Sequence, residues 1–205
     1  MDRPDIPDIV VSRLPIYLRA LTRMALEGQP ITSSHELGKR LGISSAQIRK
    51  DLSHFGEFGK QGTGYQIKFL VDQLRRILKV DTEWAVALVG AGDLGHAIAR
   101  YNGFSDRGFR IMLVFDNDQA KVGTELSGYL IHHTSELSAL ISEHHVALAM
   151  VAVPAAAAQS VADELVKAGV KGILNYAPIN ISVPDDVHVQ YIDPVVHLQR
   201  MTFYV

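Results

Sequence analysis

With 205 residues, 47% of them hydrophobic, and no cysteine, the chain can form one large domain or two small ones, and disulfide frameworks and thiolate metal sites are excluded. Residues 1–7 are acidic and proline-broken, unlike a secretory leader. The longest apolar run, 146–158, is interrupted by Pro154 and too short to cross a bilayer, so a cytoplasmic location with no membrane partner is expected. The formal net charge of −2 conceals a division: residues 1–80 carry 13 Lys and Arg against 8 Asp and Glu, and residues 81–205 carry 7 against 14. A basic module joined to an acidic one suggests a polyanion partner for the first part alone.

In the first module the pattern gives three helices and a hairpin. The first helix starts near Ser12, tolerates Pro15 in its first turn and buries Leu14, Tyr17, Leu18, Leu21 and Ala25. Gly28-Gln29-Pro30 stops it. Two capping boxes follow: Ser33-x-x-Glu36 opens a short helix that ends at Gly42, and Ser44-x-x-Gln47 opens another running to about His54. Two short capped helices joined through Gly42 and Ile43 are a helix-turn-helix signature.

In the second of these helices Ile48, Leu52 and Phe55 face a core, while Ala46, Lys50 and Ser53 point away, flanked by Gln47, Arg49 and His54. Such small, amide and cationic groups enter a major groove and bond phosphates or base edges. Ser45, Gln47, Arg49, Lys50 and Ser53 are the candidate contacts. Residues 58–65 read as a glycine-rich wing with Lys60 at its cationic tip. Singly, these cations suit an ordinary solvated face. Taken with the capped helix pair, they point to double-stranded DNA. Residues 68–79, with Leu70, Leu74 and Leu78 on one side, read as a connecting helix.

The second module opens on the most informative stretch of the chain. An apolar strand, Val86-Ala87-Leu88-Val89, runs into Gly90-Ala91-Gly92-Asp93-Leu94-Gly95 and then a helix to about residue 101. In a Gly-x-Gly-x-x-Gly turn the first glycine permits the sharp turn, the second lets backbone N–H groups approach a pyrophosphate, and the third packs the helix close to the sheet. A second strand, Ile111-Met112-Leu113-Val114-Phe115, ends in Asp116, 21 positions after Gly95, where a carboxylate bonds an adenosine ribose. The next residues are Asn117 and Asp118, with no Arg or Lys to receive a 2′-phosphate, so NADH or NAD⁺ is favoured over the phosphorylated dinucleotide.

Strands and helices then alternate. A strand at 129–131, a helix at 135–144, a fully apolar strand at 146–153, a helix at 155–168 and strands at 172–176 and 187–192 complete a doubly wound parallel sheet. The strand ends at Val153-Pro154 and at Asn175, Ala177 and Pro178 should line the crevice where a cofactor lies. Catalytic equipment is missing: there is no Tyr-x-x-x-Lys, no Gly-x-Ser-x-Gly and no His-Glu-x-x-His, and the pairs His132-His133 and His144-His145 cannot face one metal from a helix. A cofactor domain without an acid or base, fused to a DNA reader, suits a sensor. The last stretch, 195–205, carries Val195, Leu198, Met201 and Thr202 on one stripe, broadened by Val196, Phe203 and Tyr204. So apolar a terminal helix needs a partner surface, either a second copy or this chain's own sheet.

Over almost its whole length the sequence resembles the Rex family of bacterial redox-sensing transcriptional repressors. The matching stretches are Ser12-Arg13-Leu14-Pro15, Gln47-Ile48-Arg49-Lys50-Asp51-Leu52-Ser53, Phe55-Gly56, Gly59, Gly64-Tyr65, Gly90 to Gly95, Phe115-Asp116, Gly169 to Asn175 with Ala177-Pro178, and Ile192-Asp193. The resemblance implies a homodimer on a palindromic operator that leaves DNA when NADH binds, with a C-terminal helix crossing to the partner and a coupling network at Arg13, Tyr101 and Asp193. Pro194 departs from relatives, which usually carry a larger apolar side chain there. Asp193 can equally be read as the N-cap of the last helix. The expected architecture is therefore a winged helix-turn-helix (1–80), a Rossmann-like α/β domain (81–193) and an exchanged helix (194–205). A regulator responding to coenzyme A and a small NAD-dependent oxidoreductase remain as alternatives. Asp116 disfavours the first, because coenzyme A carries a ribose 3′-phosphate, and the absent acid–base group disfavours the second.

Overall fold

In the computed structural model, which describes residues 6–59 and 63–205, the chain divides into two compact units, Met1–Thr82 and Glu83–Val205. The first holds α1 (Asp8–Val11), α2 (Leu14–Leu26), β1 (Ile31–Thr32), α3 (Ser34–Leu41), α4 (Ser45–Ser53), β2 (Tyr65–Gln66) and α5 (Ile67–Ile77). The helix expected from near Ser12 begins at Leu14 as α2, and a separate short helix, α1, precedes it; Pro15 has no N–H to continue the ladder from Val11. Its buried stripe is Leu14, Tyr17, Leu21 and Met24, with Leu18 half-buried; Ala25, expected inside, is exposed and Met24 takes its place. These side chains meet Leu37 of α3, Ile48 and Leu52 of α4, and Ile67, Leu70 and Leu74 of α5 in one core.

Of the two expected capping boxes the serine halves form, while the Glu36 and Gln47 side chains are bonded elsewhere. Ser33 Oγ accepts from Glu36 N at 3.1 Å, and Ser44 Oγ accepts from Gln47 N at 3.2 Å. The Glu36 carboxylate accepts from the side chains of Gln29 and Thr32. Gly42 ends α3 in the left-handed conformation. β2, the far strand of the expected wing, pairs antiparallel with β1, Ile31 opposite Gln66 and Thr32 opposite Tyr65. Two residues are too few for a strand periodicity, so β1 has no sequence signal. Lys60, assigned to the wing tip, lies outside the described residues.

The second unit is a seven-stranded sheet of order β5-β6-β4-β3-β7-β8-β9. Its strands are β3 (Trp84–Val89), β4 (Phe109–Asp116), β5 (Glu125–Leu126), β6 (Tyr129–His133), β7 (Leu148–Val151), β8 (Gly172–Asn175) and β9 (His188–Tyr191). All pairings are parallel except that of the edge strand β5 with β6. Between the strands run α6 (Asp93–Ala99), α7 (Leu137–Glu143) and α8 (Ala155–Lys167). Alternation along β3 sends Val86 and Leu88 into one core with Ile98 and Ala99 of α6, and Ala87 and Val89 into another with α7 and α8. The chain builds outward from β3 through β4 to β6, then returns to β3's other side as β7. This is the 3-2-1-4-5-6 Rossmann order, with its crevice at the carboxyl ends of β3 and β7. The last helix, α9 (Pro194–Thr202), buries no residue; Val195, Val196, Leu198 and Met201 are each more than half exposed.

The helix-turn-helix depends on a glycine inside α3. A Cβ on Gly38 would collide with the carbonyl oxygen of Ile43 in the turn before α4. Gly38→Ala is expected to lower stability by about 1–3 kcal/mol through overpacking, read as a drop in the unfolding midpoint. An unchanged midpoint would show that the α3–α4 turn can move aside.

Candidate functional site

The turn after β3 is built by its glycines. Gly90 adopts φ +104°, and a Cβ there would strike Ala152 O at the end of β7, so the two central strands close over it. A Cβ on Gly95 would strike Gly90 O, which seats α6 directly on the turn. Gly92 is different. Nothing lies within 4 Å of a Cβ placed on it, so the surrounding chain gives no steric reason for glycine. Open space at the middle glycine suits the close approach of a phosphate group to the backbone.

Asp116, at the end of β4, is buried and fastens this turn. Its Oδ2 accepts from Ala91 N at 2.7 Å and its Oδ1 from Asp118 N at 2.9 Å. Burial pushes the carboxyl pKa up, but the two backbone donors and Lys121 outweigh it and hold it below the usual carboxylate value. Lys121 Nζ lies 3.3 Å from Asp116 Oδ2 and 3.8 Å from Asp118 Oδ2. The sequence reading, which looked only at the two residues after Asp116, missed this cation. It comes near only through the fold: Asp118 accepts from Ala120 N and from Lys121 N, a turn that carries the chain back onto the strand end.

A cavity of about 470 Å³ opens beside the turn, within the range of small-molecule sites. Gly90, Gly92, Asp116, Lys121, Val153 and Pro154 line it, with Thr134, Ser160 and Glu164 supplying further polar groups. Asn175, Ala177 and Pro178 do not. Asn175 is fully buried and its carboxamide is spent locally: Oδ1 accepts from Ala177 N, while Nδ2 donates to the carbonyls of Ala177 and Ile179. It orders the loop after β8. Asp93 and Leu94 open α6 and are exposed.

On α4, Arg49 and Lys50 are exposed, and Arg49 Nη1 donates to Ser34 Oγ of α3 at 3.0 Å. Ser45 is half-buried in the first turn, and the exposed Ser53 hydroxyl donates to the carbonyl of Lys50. Gln47 is half-buried and donates from Nε2 to Asp51 Oδ1 at 2.6 Å. Asp51 was not singled out from the sequence, although it falls on the face of Ile48 and Leu52, where a charge requires partners. Those partners include Arg13, whose Nε and Nη2 reach its two oxygens at 2.6 and 2.8 Å. Tyr101 is half exposed, stacks edge-on with Phe104 and accepts from Arg107 Nη1 at 3.2 Å. Asp193 caps α9, its Oδ1 accepting from Val195 N at 2.8 Å. Thus Arg13 is bonded within the first unit, and Tyr101 and Asp193 are each bonded to a near neighbour within the second.

Asp116→Ala removes a charge-assisted acceptor and unfastens the turn, so dinucleotide affinity is expected to fall by at least about 1.5–3 kcal/mol, read by calorimetric titration with NADH. Unchanged affinity in a folded mutant would leave Asp116 with no part in the site.

Both units have counterparts among known proteins. Residues 5–53 match a family model described as the putative DNA-binding protein N-terminus, and residues 81–179 one described as a CoA binding domain. A redox-sensing transcriptional repressor Rex from Chloroflexus aurantiacus is 50% identical over 206 residues, covering 100% of this chain and 97% of the relative. The crystal structure of RSP in complex with β-NAD⁺ and operator DNA matches with a TM-score of 0.92 and 33% identity, covering 97% of this chain and 92% of that one. RSP in complex with β-NADH matches with a TM-score of 0.89 and 31% identity, over 98% and 94% of the two chains. The chain belongs to the Rex family of redox-sensing transcriptional repressors.

Proposed function

We propose that this chain is an NADH-responsive transcriptional repressor: a cytoplasmic homodimer that holds a palindromic operator through α4 and releases it when NADH occupies the turn after β3. The observation that carries this reading is the open, fastened turn Gly90–Gly95 with Asp116, in the same chain as a capped helix-turn-helix whose exposed Arg49 and Lys50 suit DNA phosphates. The RSP complexes with β-NAD⁺ and operator DNA and with β-NADH support both ligands. The coenzyme A alternative rests on the model matching residues 81–179 alone, and the full-length relatives disfavour it. The reading assigns no reaction to the chain.

NADH and NAD⁺ share the adenosine and the pyrophosphate, so Gly90, Ala91, Gly92, Asp93, Leu94, Gly95 and Asp116 cannot tell them apart. Discrimination belongs where the nicotinamide ring, charged only in NAD⁺, meets the rest of the dimer. In this reading Asp193 is the carboxylate that changes partner with ring occupancy, and Arg13 and Tyr101 carry that change toward the DNA module. Electrophoretic titration of operator DNA tests the whole reading. NADH is expected to dissociate the complex at concentrations where NAD⁺ leaves it intact, and Arg49→Ala or Lys50→Ala to cripple binding on half-sites ~10 bp apart. Equal effects of the two dinucleotides would overturn it.

The dimer reading draws on α9, whose apolar residues have no cover in the single chain. Leu198→Asp is expected to convert dimer to monomer in analytical ultracentrifugation and to abolish operator binding with it. A dimer that persists would place the interface elsewhere.

A further inference from the structure

Asp51 is a buried charge for which the proposed function has no use. It sits on α4, among the residues read as facing DNA, with no exposed surface. Four donors converge on it: Arg13 Nε and Tyr17 Oη on Oδ2, each at 2.6 Å, and Gln47 Nε2 at 2.6 Å and Arg13 Nη2 at 2.8 Å on Oδ1. Such short bonds are of the charge-assisted kind, and full pairing is what makes a carboxylate tolerable inside a core. Burial opposes its ionisation, yet these donors outweigh burial and keep it ionised below the usual carboxylate range. Arg13 and Tyr17 lie at the start of α2, so the cluster ties α4 to a second helix.

An ionised carboxylate can only accept hydrogen bonds. Chemistry therefore fixes which end of the Gln47 carboxamide faces Asp51: Nε2 is turned toward it and Oε1 away. One Nε2–H is thereby spent on Asp51, so what Gln47 keeps for DNA is its Oε1 acceptor with a single N–H beside it.

We infer that Asp51 is a positioning residue for base recognition: by holding Nε2 it fixes Gln47 with Oε1 turned from the carboxylate, an acceptor with one N–H beside it, so the base that Oε1 meets carries an exocyclic amine. In the major groove adenine offers N6–H and cytosine N4–H, whereas guanine, with O6 and N7, and thymine, with O4, offer acceptors and no donor at that edge. The inference rests on the reading of α4 as the helix that enters the groove. It adds which side chain there selects a base, which chemical class of base it selects, and which buried group enforces the choice.

The experiment uses the full chain and a panel of operators substituted at every position of the half-site, bound by wild type, Gln47→Ala, Asp51→Asn, the double mutant and Lys50→Ala. Wild type is expected to prefer adenine or cytosine at one position by roughly tenfold or more. Gln47→Ala should flatten that preference. Asp51→Asn, which keeps the volume but lets the carboxamide turn, should flatten the same position, and the double mutant should lose nothing further. A purely structural role would weaken all operators alike and leave the preference standing. The inference is overturned if folded Asp51→Asn keeps the wild-type preference, if Gln47→Ala alters no position, or if guanine or thymine is preferred there. Where one of those overturning results is found, Lys50→Ala separates the two levels: if it binds operator normally, the reading of α4 falls as well, and if its binding is crippled, that reading stands and the inference alone falls. Should Asp51→Asn fail to fold, NMR of the wild-type Gln47 side-chain amide decides. A distinct, slowly exchanging Hε2 signal supports the hold, and rapid exchange like that of an exposed glutamine overturns it.

Discussion

The bond from Ala91 N to the Asp116 carboxylate joins the turn after β3 to the end of β4, the two halves of the proposed ligand site. Gly90, left-handed and pressed against Ala152, turns the chain at the end of β3. Without an acceptor at the end of β4 the next backbone N–H would be buried with no partner, a cost of about 1–3 kcal/mol. Asp116 supplies it, and its second oxygen fixes the start of the following loop through Asp118 N. The strand ends, the turn and Lys121 are thereby set before any ligand arrives. Preorganisation of this kind reduces the ordering cost of binding.

A second buried carboxylate organises the DNA-binding unit by the same logic. Asp51 gathers Arg13, Tyr17 and Gln47 at the junction of α2 and α4. Acid is expected to loosen both units: each carboxyl is held below its ordinary value when folded, so its contribution is present at neutral pH and lost as pH falls through the depressed value. Placing Arg13 in this cluster also gives the proposed switch a physical form. A guanidinium already paired at one carboxylate must be drawn away by a better partner, and the difference between the two pairings limits how far a ligand can shift the states.

Much of this was legible in the sequence. The period-3.6 stripe of α2, the two serine caps and the strand–glycine–helix run each carry a local signal that survives folding, and they lie where they were read. What was not legible depends on distant or very short segments. β1 has only two residues and exists because β2 pairs with it. Asn175 looked like a crevice residue by its place at a strand end, but its carboxamide is consumed by its own loop. Lys121 reaches Asp116 only because the loop turns back. Ala25 and Met24 are one position apart, and the face that α2 turns to the shared core takes Met24.

The proposed switch requires that the turn after β3 and the helix α4 be energetically coupled. Coupling between two binding sites is reciprocal: the factor by which NADH weakens operator binding must equal the factor by which operator weakens NADH binding. The most direct measurement is NADH affinity determined twice, with the free protein and with the protein saturated by operator DNA. The account predicts weaker NADH binding on the operator, by the same factor as the loss of operator affinity in saturating NADH. Identical NADH affinity in the two cases would contradict it.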